Sequence, residues 1–179
     1  YLFAVVAVVV AKYSARNAQP IKERGLARLL SGFRVAAADP LIRRVLVILT
    51  IFSFFSLVFV GLMPVVADHS LGIDPKSTEY GLLYAAFGLG AALGAVSVGT
   101  LFASRSKPML VRIALVAFAG LLALFALERH AFAAYPTVIV LGFAYFVVIT
   151  SLSTVLQQHL DDAVRGRIMA LWIMAFGGT

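Results

Sequence analysis

Four long stretches of this chain contain no Asp, Glu, Lys or Arg: Val45–Ala67, Gly81–Ala103, Ile113–Leu127 with its flanks, and Tyr135–Gln158. A helix needs about 20 mostly apolar residues to cross a hydrocarbon core about 30 Å thick. A charge at its centre costs about 2.5–3.5 kcal/mol on insertion scales, which accounts for the missing charges. One such block could be a buried helix of a soluble protein. Four in series, joined by short polar connections, predict membrane spans and an all-α, polytopic transmembrane bundle.

Composition agrees. The chain is 62% hydrophobic and 13% charged, with a mean hydropathy of +1.00. A soluble domain carries about 25% charged residues. Two shorter apolar stretches read as partial spans, Tyr1–Ala11 as the end of one and Ile168–Thr179 as the start of another. With no initiator Met or charged leader before Tyr1, the sequence reads as a fragment without a signal peptide.

The charges alternate. Lys12, Arg16, Lys22, Arg24, Arg28, Arg34, Arg43 and Arg44 precede the first full span, against Glu23 and Asp39. The next connection has Lys76 against Asp68, Asp74 and Glu79. Arg105, Lys107 and Arg112 follow without an acid, then Glu128 with Arg129, then Arg165 and Arg167 after Asp161 and Asp162. Thirteen of the fifteen basic residues therefore fall on one side. The positive-inside rule makes that side cytoplasmic. Loops 12–44, 104–112 and 159–167 are expected in the cytoplasm, and the chain is expected to be a multi-pass protein of the bacterial inner membrane. A net charge of +7 arranged in this way reflects topology and not a nucleic-acid groove.

The connection at 12–44 carries more than spacing. Leu26, Leu29, Leu30, Phe33 and Val35 recur at near-helical intervals among Arg24, Arg28 and Arg34, as in an amphipathic helix. Such a helix can lie in the cytoplasmic headgroup layer or pack on the protein's own cytoplasmic face. Asp39-Pro40 should end it, because proline disfavours a helical residue before it, and Pro40 suits the first turn of the next helix.

The order of these elements resembles the central loop and second six-helix half of the major facilitator superfamily. Leu30-Ser31-Gly32-Phe33-Arg34 with Asp39-Pro40-Leu41 is similar to the segment that precedes helix seven in bacterial drug and siderophore exporters of the enterobactin-exporter type. Tyr80-Gly81-Leu82-Leu83-Tyr84-Ala85-Ala86 with Gly88, Gly90 and Gly94 resembles their helix eight. Gln157 and Gln158, followed by Arg165-Gly166-Arg167-Ile168-Met169-Ala170-Leu171, resemble their turn into helix eleven. The resemblance implies a partial major facilitator fold running from the end of helix six to the start of helix eleven. It also implies small-molecule export by alternating access, an N-terminal six-helix half outside this sequence, and protons as the candidate coupling ion. The loop Gly99–Pro108 keeps the basic residues of the superfamily's gating motif but lacks its aspartate.

Several residues are candidates for function. Thr50, Ser53 and Ser56, three apart on one side of their span, and Thr150, Ser151, Thr154 and Gln157 on another, are polar groups within apolar helices. On the resemblance they belong to helices seven and ten and line the cavity. They could equally bond back to their own helix carbonyls. Phe54 and its aromatic neighbours could add an apolar lining. Gly88, Gly90 and Gly94 allow close helix approach, for packing alone or for the moving contact with the opposite half. Pro64 removes a backbone hydrogen bond and is a candidate hinge. Arg105 lies in the short gating-type loop. Arg165 and Arg167 are candidates for an inter-helix salt bridge with the nearby acids, or for headgroup anchors.

Enzymatic and cofactor readings find little support. There are no cysteines, and His69, His130 and His159 fall on both sides of the membrane and cannot form one metal site. No phosphate-binding glycine loop with its lysine is present. A non-transporting membrane scaffold or an embedded enzyme of the same topology is the competing reading.

Overall fold

Each uncharged block forms a helix, and the helices extend to where capping chemistry stops them. The computed structural model describes residues 26–177, which form six helices and their connections, with no strand among the described residues. They are α1 (Leu26–Ala38), α2 (Pro40–Leu71), α3 (Thr78–Gly99), α4 (Lys107–Leu127), α5 (Ala131–His159) and α6 (Asp162–Gly177). The expected partial span at Tyr1–Ala11 lies outside the described residues. Four helices, α2 to α5, are long and apolar enough to cross a membrane.

The ends follow from local chemistry. Asp39 caps α2, its side chain accepting from the Leu41 and Ile42 amides at 2.8 and 3.1 Å. Pro40 begins the helix, where its missing N–H costs nothing. Gly72, at φ +68°, ends α2 in the left-handed conformation that glycine adopts without a Cβ clash. Ser77 caps α3 by accepting from the Tyr80 amide at 3.2 Å. The sequence places the end of that span at Ala103, but the helix stops at Gly99 and residues 100–103 are turns. Lys107 causes the early stop: its ammonium donates to the carbonyls of Val98, Phe102 and Ala103 at 3.3, 2.6 and 3.1 Å. Helix α2 runs through Pro64 without a break.

The bundle is organised around α5, which is more buried than any other spanning helix. Helix α3 packs on it at backbone distance. A Cβ placed on Gly90 would strike the Ile139 carbonyl, one on Gly94 the Phe143 carbonyl, and one on Gly142 the Phe87 carbonyl. Beside this seam an aromatic cluster joins four helices. Phe52 of α2 lies 5.2 Å from Phe118 of α4 and 5.1 Å from Tyr145 of α5, and Tyr145 lies 5.7 Å from Phe87 of α3. Tilted and edge-to-face rings at these separations add to area burial.

Helix α1 packs on α6 and α2. Its small residues make this possible: a Cβ on Gly32 would sit 3.4 Å from the Arg167 carbonyl, and Ala36 is buried. Phe33 is left 54% exposed. The amphipathic segment therefore packs on the protein's own helices and leaves one aromatic ring exposed.

The outward surface is apolar. Val116, Leu127 and Phe132 are at least 74% exposed. A soluble monomer rarely tolerates such a contiguous apolar surface, and a bilayer solvates it.

The α3–α5 seam yields a prediction. Gly94→Val or Gly142→Val forces two backbones apart, and overpacking of this kind costs about 1–3 kcal/mol or more. Gly120→Val, which meets nothing within 4 Å, should leave the fold intact. Thermal stability of the full-length protein, read by fluorescence-detected size exclusion, should fall for the first two variants and not for the third.

Candidate functional site

Helix α5 presents two faces. One is buried and includes Ser151, Leu152 and Leu156. The other carries Phe146, Thr150, Thr154 and Gln157 at intervals of three or four, half-buried or exposed. That spacing lines them along one side of the helix. The Thr154 hydroxyl donates to the Thr150 carbonyl at 2.7 Å, and the Gln157 amide donates to the Ser153 hydroxyl at 2.7 Å. Both hydroxyl lone pairs of Thr154 and the amide oxygen of Gln157 stay available to a ligand.

The polar residues of α2 divide in the same way. Thr50 and Phe54 lie on the exposed side. Thr50 donates to the Leu46 carbonyl at 2.9 Å, and Phe54 stacks edge-on against Phe55 at 5.5 Å. Ser53 and Ser56 are fully buried. Ser56 donates to the Ser53 carbonyl at 3.3 Å, while the Ser53 hydroxyl, like that of Ser151, is buried without a hydrogen-bond partner. Thr50, Ser53 and Ser56 therefore do not share one environment, although they share a spacing. Ser53, Ser56 and Ser151 are buried within the bundle, and Thr150, Thr154 and Gln157 form a polar stripe along the less buried side of α5.

The glycines of α3 also separate. Gly90 and Gly94 are spent on α5. Gly88 points into open space, as do Gly81 and Gly99, and Ala85 and Ala92 are exposed between them. Gly142, the partner of the close approach, is absent from the sequence-derived candidates. Its signal was a lone glycine in a helix of large apolar residues.

At the cytoplasmic end, Arg165 does not reach another helix. It pairs with Asp162 at 2.8 Å, one turn away on α6, because that spacing brings the two side chains together before any partner helix can compete. Arg167 packs its backbone carbonyl on Gly32, and its Nε is buried without a partner. Arg105 is exposed. The inter-helix pair is a different one: His159 Nε2 lies 2.8 Å from Asp39 Oδ2, joining the end of α5 to the cap of α2. That hydrogen bond, followed by the Ile42 amide, holds the Asp39 carboxyl below the ordinary aspartate range. Among the described residues no three His, Asp or Glu side chains cluster as metal ligands.

The model of the transmembrane secretion effector family matches residues 1–179. The enterobactin exporter EntS of Shigella boydii serotype 18 is 31% identical over 151 residues, which is 84% of this chain and 35% of that protein. EntS of Escherichia coli O139:H28 is 30% identical over the same length. The chain thus spans about a third of the length of the curated relatives it matches. No solved structure matches it.

The Asp39–His159 pair gives a pH prediction. Because the folded carboxyl titrates below its unfolded value, the stability it supplies is complete above the ordinary aspartate range and is lost as pH falls through the lowered value. Asp39→Asn keeps an efficient N-cap but removes the charge. Its melting temperature should lie below that of the wild type at pH 6, and the two should converge as pH falls below about 4. A difference that stays constant from pH 6 to pH 3 would rule out the ion pair as its source.

Proposed function

Because this chain belongs to the transmembrane secretion effector family of the major facilitator superfamily, we propose that it forms the C-terminal part of a secondary exporter. Its substrate is a siderophore-like or drug-like small molecule. The match over all 179 residues carries this reading, and the relatives named as enterobactin exporters favour the siderophore-like class. A second six-helix half completes the cavity, and the two halves rock about a midplane site.

The open sides of α3 and α5 are the surfaces such a partner would meet. In this reading Thr150, Thr154 and Gln157 line the cavity and hydrogen-bond the substrate, with Phe146 offering an aromatic face. Thr50 and Phe54 are the corresponding candidates on α2. Gly88, with the exposed small residues beside it, lets a helix of the opposite half come close and slide. The buried Ser53, Ser56 and Ser151 serve packing within the half. Arg105 and Lys107 hold the cytoplasmic loop of the gate, Pro64 gives α2 its point of bending, and protons supply the driving force.

Cells lacking the full-length gene should accumulate the substrate, and re-expression should restore efflux. Unchanged accumulation would favour a non-transporting scaffold. Each lost hydrogen bond is worth about 0.5–1.5 kcal/mol, so Thr150→Val/Thr154→Val should lower export about 5- to 150-fold at unchanged membrane abundance. Collapse of the pH gradient should abolish efflux in proteoliposomes.

A further inference from the structure

The six helices fall into two packing units. Helix α6 packs on α1 and α2, and α1 packs on α2, whereas α3 and α4 pack on α5. The units meet where α2 touches α5 and where Phe52 and Phe59 of α2 enter the ring cluster. Chain neighbours are split by this division. Helix α6 follows α5 after only Leu160 and Asp161, yet it packs with the other unit.

We propose that Asp39 and His159 form a releasable clasp between the two units at their cytoplasmic end, and that its opening lets the unit of α1, α2 and α6 turn on the ring cluster.

Position is the first ground. Asp39 is the one residue between α1 and α2, and His159 is the last residue of α5. Their 2.8 Å contact ties the joint inside one unit to the joint that leads out of the other. Residues at element ends are the ones that absorb a change of angle between packed bodies.

The chemistry of the carboxylate is the second. Oδ1 of Asp39 accepts from the Leu41 and Ile42 amides, and Oδ2 meets His159. The clasp can therefore open while the cap of α2 stays made. The His159 and Asp39 side chains are 42% and 33% exposed, so water can replace either partner without stranding a buried charge. Neighbouring cations are held by other acceptors, Arg43 by the Ala37 carbonyl and Arg165 by Asp162.

Packing around the pair is the third. A cavity of 510 Å³ beside it is lined by Val35, Ile42, His159 and Leu160. On the other flank of α2, a cavity of 320 Å³ lies among Leu41, Val45, Val111 and Leu152. Pro40 lines both, so among the described residues packing is interrupted on either side of the first turn of α2. Phe52 stands about 20 Å along the helix from Asp39, and a turn of about 6° at the rings opens about 2 Å at the clasp. The device concerns packing between these helices and does not rest on the transport reading.

The test uses the full-length protein in lipid nanodiscs, with distances between paired nitroxide labels read by double electron–electron resonance. Labels at Val47 and Gln158 report the cytoplasmic ends of α2 and α5, and labels at Val65 and Phe132 report their outer ends; all four positions are exposed. His159→Phe keeps a ring and removes the bond. Asp39→Ser keeps a helix cap on a side chain too short to reach His159. Each should lengthen the cytoplasmic distance by about 2 Å and leave the outer distance unchanged. His159→Gln, which again offers the carboxylate a donor, should return the wild-type distance. A cytoplasmic distance unchanged in both His159→Phe and Asp39→Ser would overturn the proposal, because contacts other than the pair would then hold the ends. Equal lengthening at both ends would also overturn it, as the mark of general loosening.

Discussion

The approach of α3 to α5 at backbone distance is the contact from which the other packing follows. Between helices in lipid there is little hydrophobic drive, since a leucine is as well solvated by acyl chains as by another leucine. Close fit must supply the attraction. Gly90 and Gly94 on one helix and Gly142 on the other remove the Cβ atoms that would hold the axes apart. With α3 drawn in, Phe87 reaches Tyr145, and Tyr145 stands where Phe52 and Phe118 can meet it. Were the seam a few tenths of an ångström wider, the ring cluster that joins four helices would lose its centre.

Polar contacts secure both ends of the same helix. At the outer end the Tyr135 hydroxyl donates to the Glu79 carbonyl of α3 at 3.1 Å, and Thr137 donates to Glu128, the residue that ends α4, at 2.5 Å. At the cytoplasmic end His159 joins the cap of α2. Water competes for the Tyr135 and His159 contacts, so each contributes less than a buried pair would, whereas Thr137 meets Glu128 from a buried position. Their effect is geometric: they fix the rotation and height of α5 against its three neighbours. The apolar seam sets how near the helices come, and the polar ends set their register.

The spans were legible in the sequence because one charge in mid-membrane costs more than any local preference returns, so each uncharged block had one outcome. Their ends were less so. Glu79, Lys107 and Asp162 stand inside helices that hydropathy trims away, and Leu101 looks like span although Lys107 has already closed the helix behind it. The site was legible in residue type and not in orientation. Ser53 and Thr50 lie three residues apart, yet one is fully buried and the other exposed, because a side chain's surroundings depend on which neighbour the helix turns toward. Asp39 and His159 are 120 residues apart in sequence, and nothing local to either announces the other.

Rocking about a midplane site requires each half to move as a body, and the contacts of α5 bear on whether this one could. A helix joined to α3 by backbone contact, to α2 and α4 by stacked rings, and to all three by end contacts cannot shift alone without breaking several of these at once. Motion is then directed to the surfaces that carry no such links, the open sides of α3 and α5. These hold small residues and a polar stripe. The same packing that makes these helices one body leaves those two sides free to move against a neighbour.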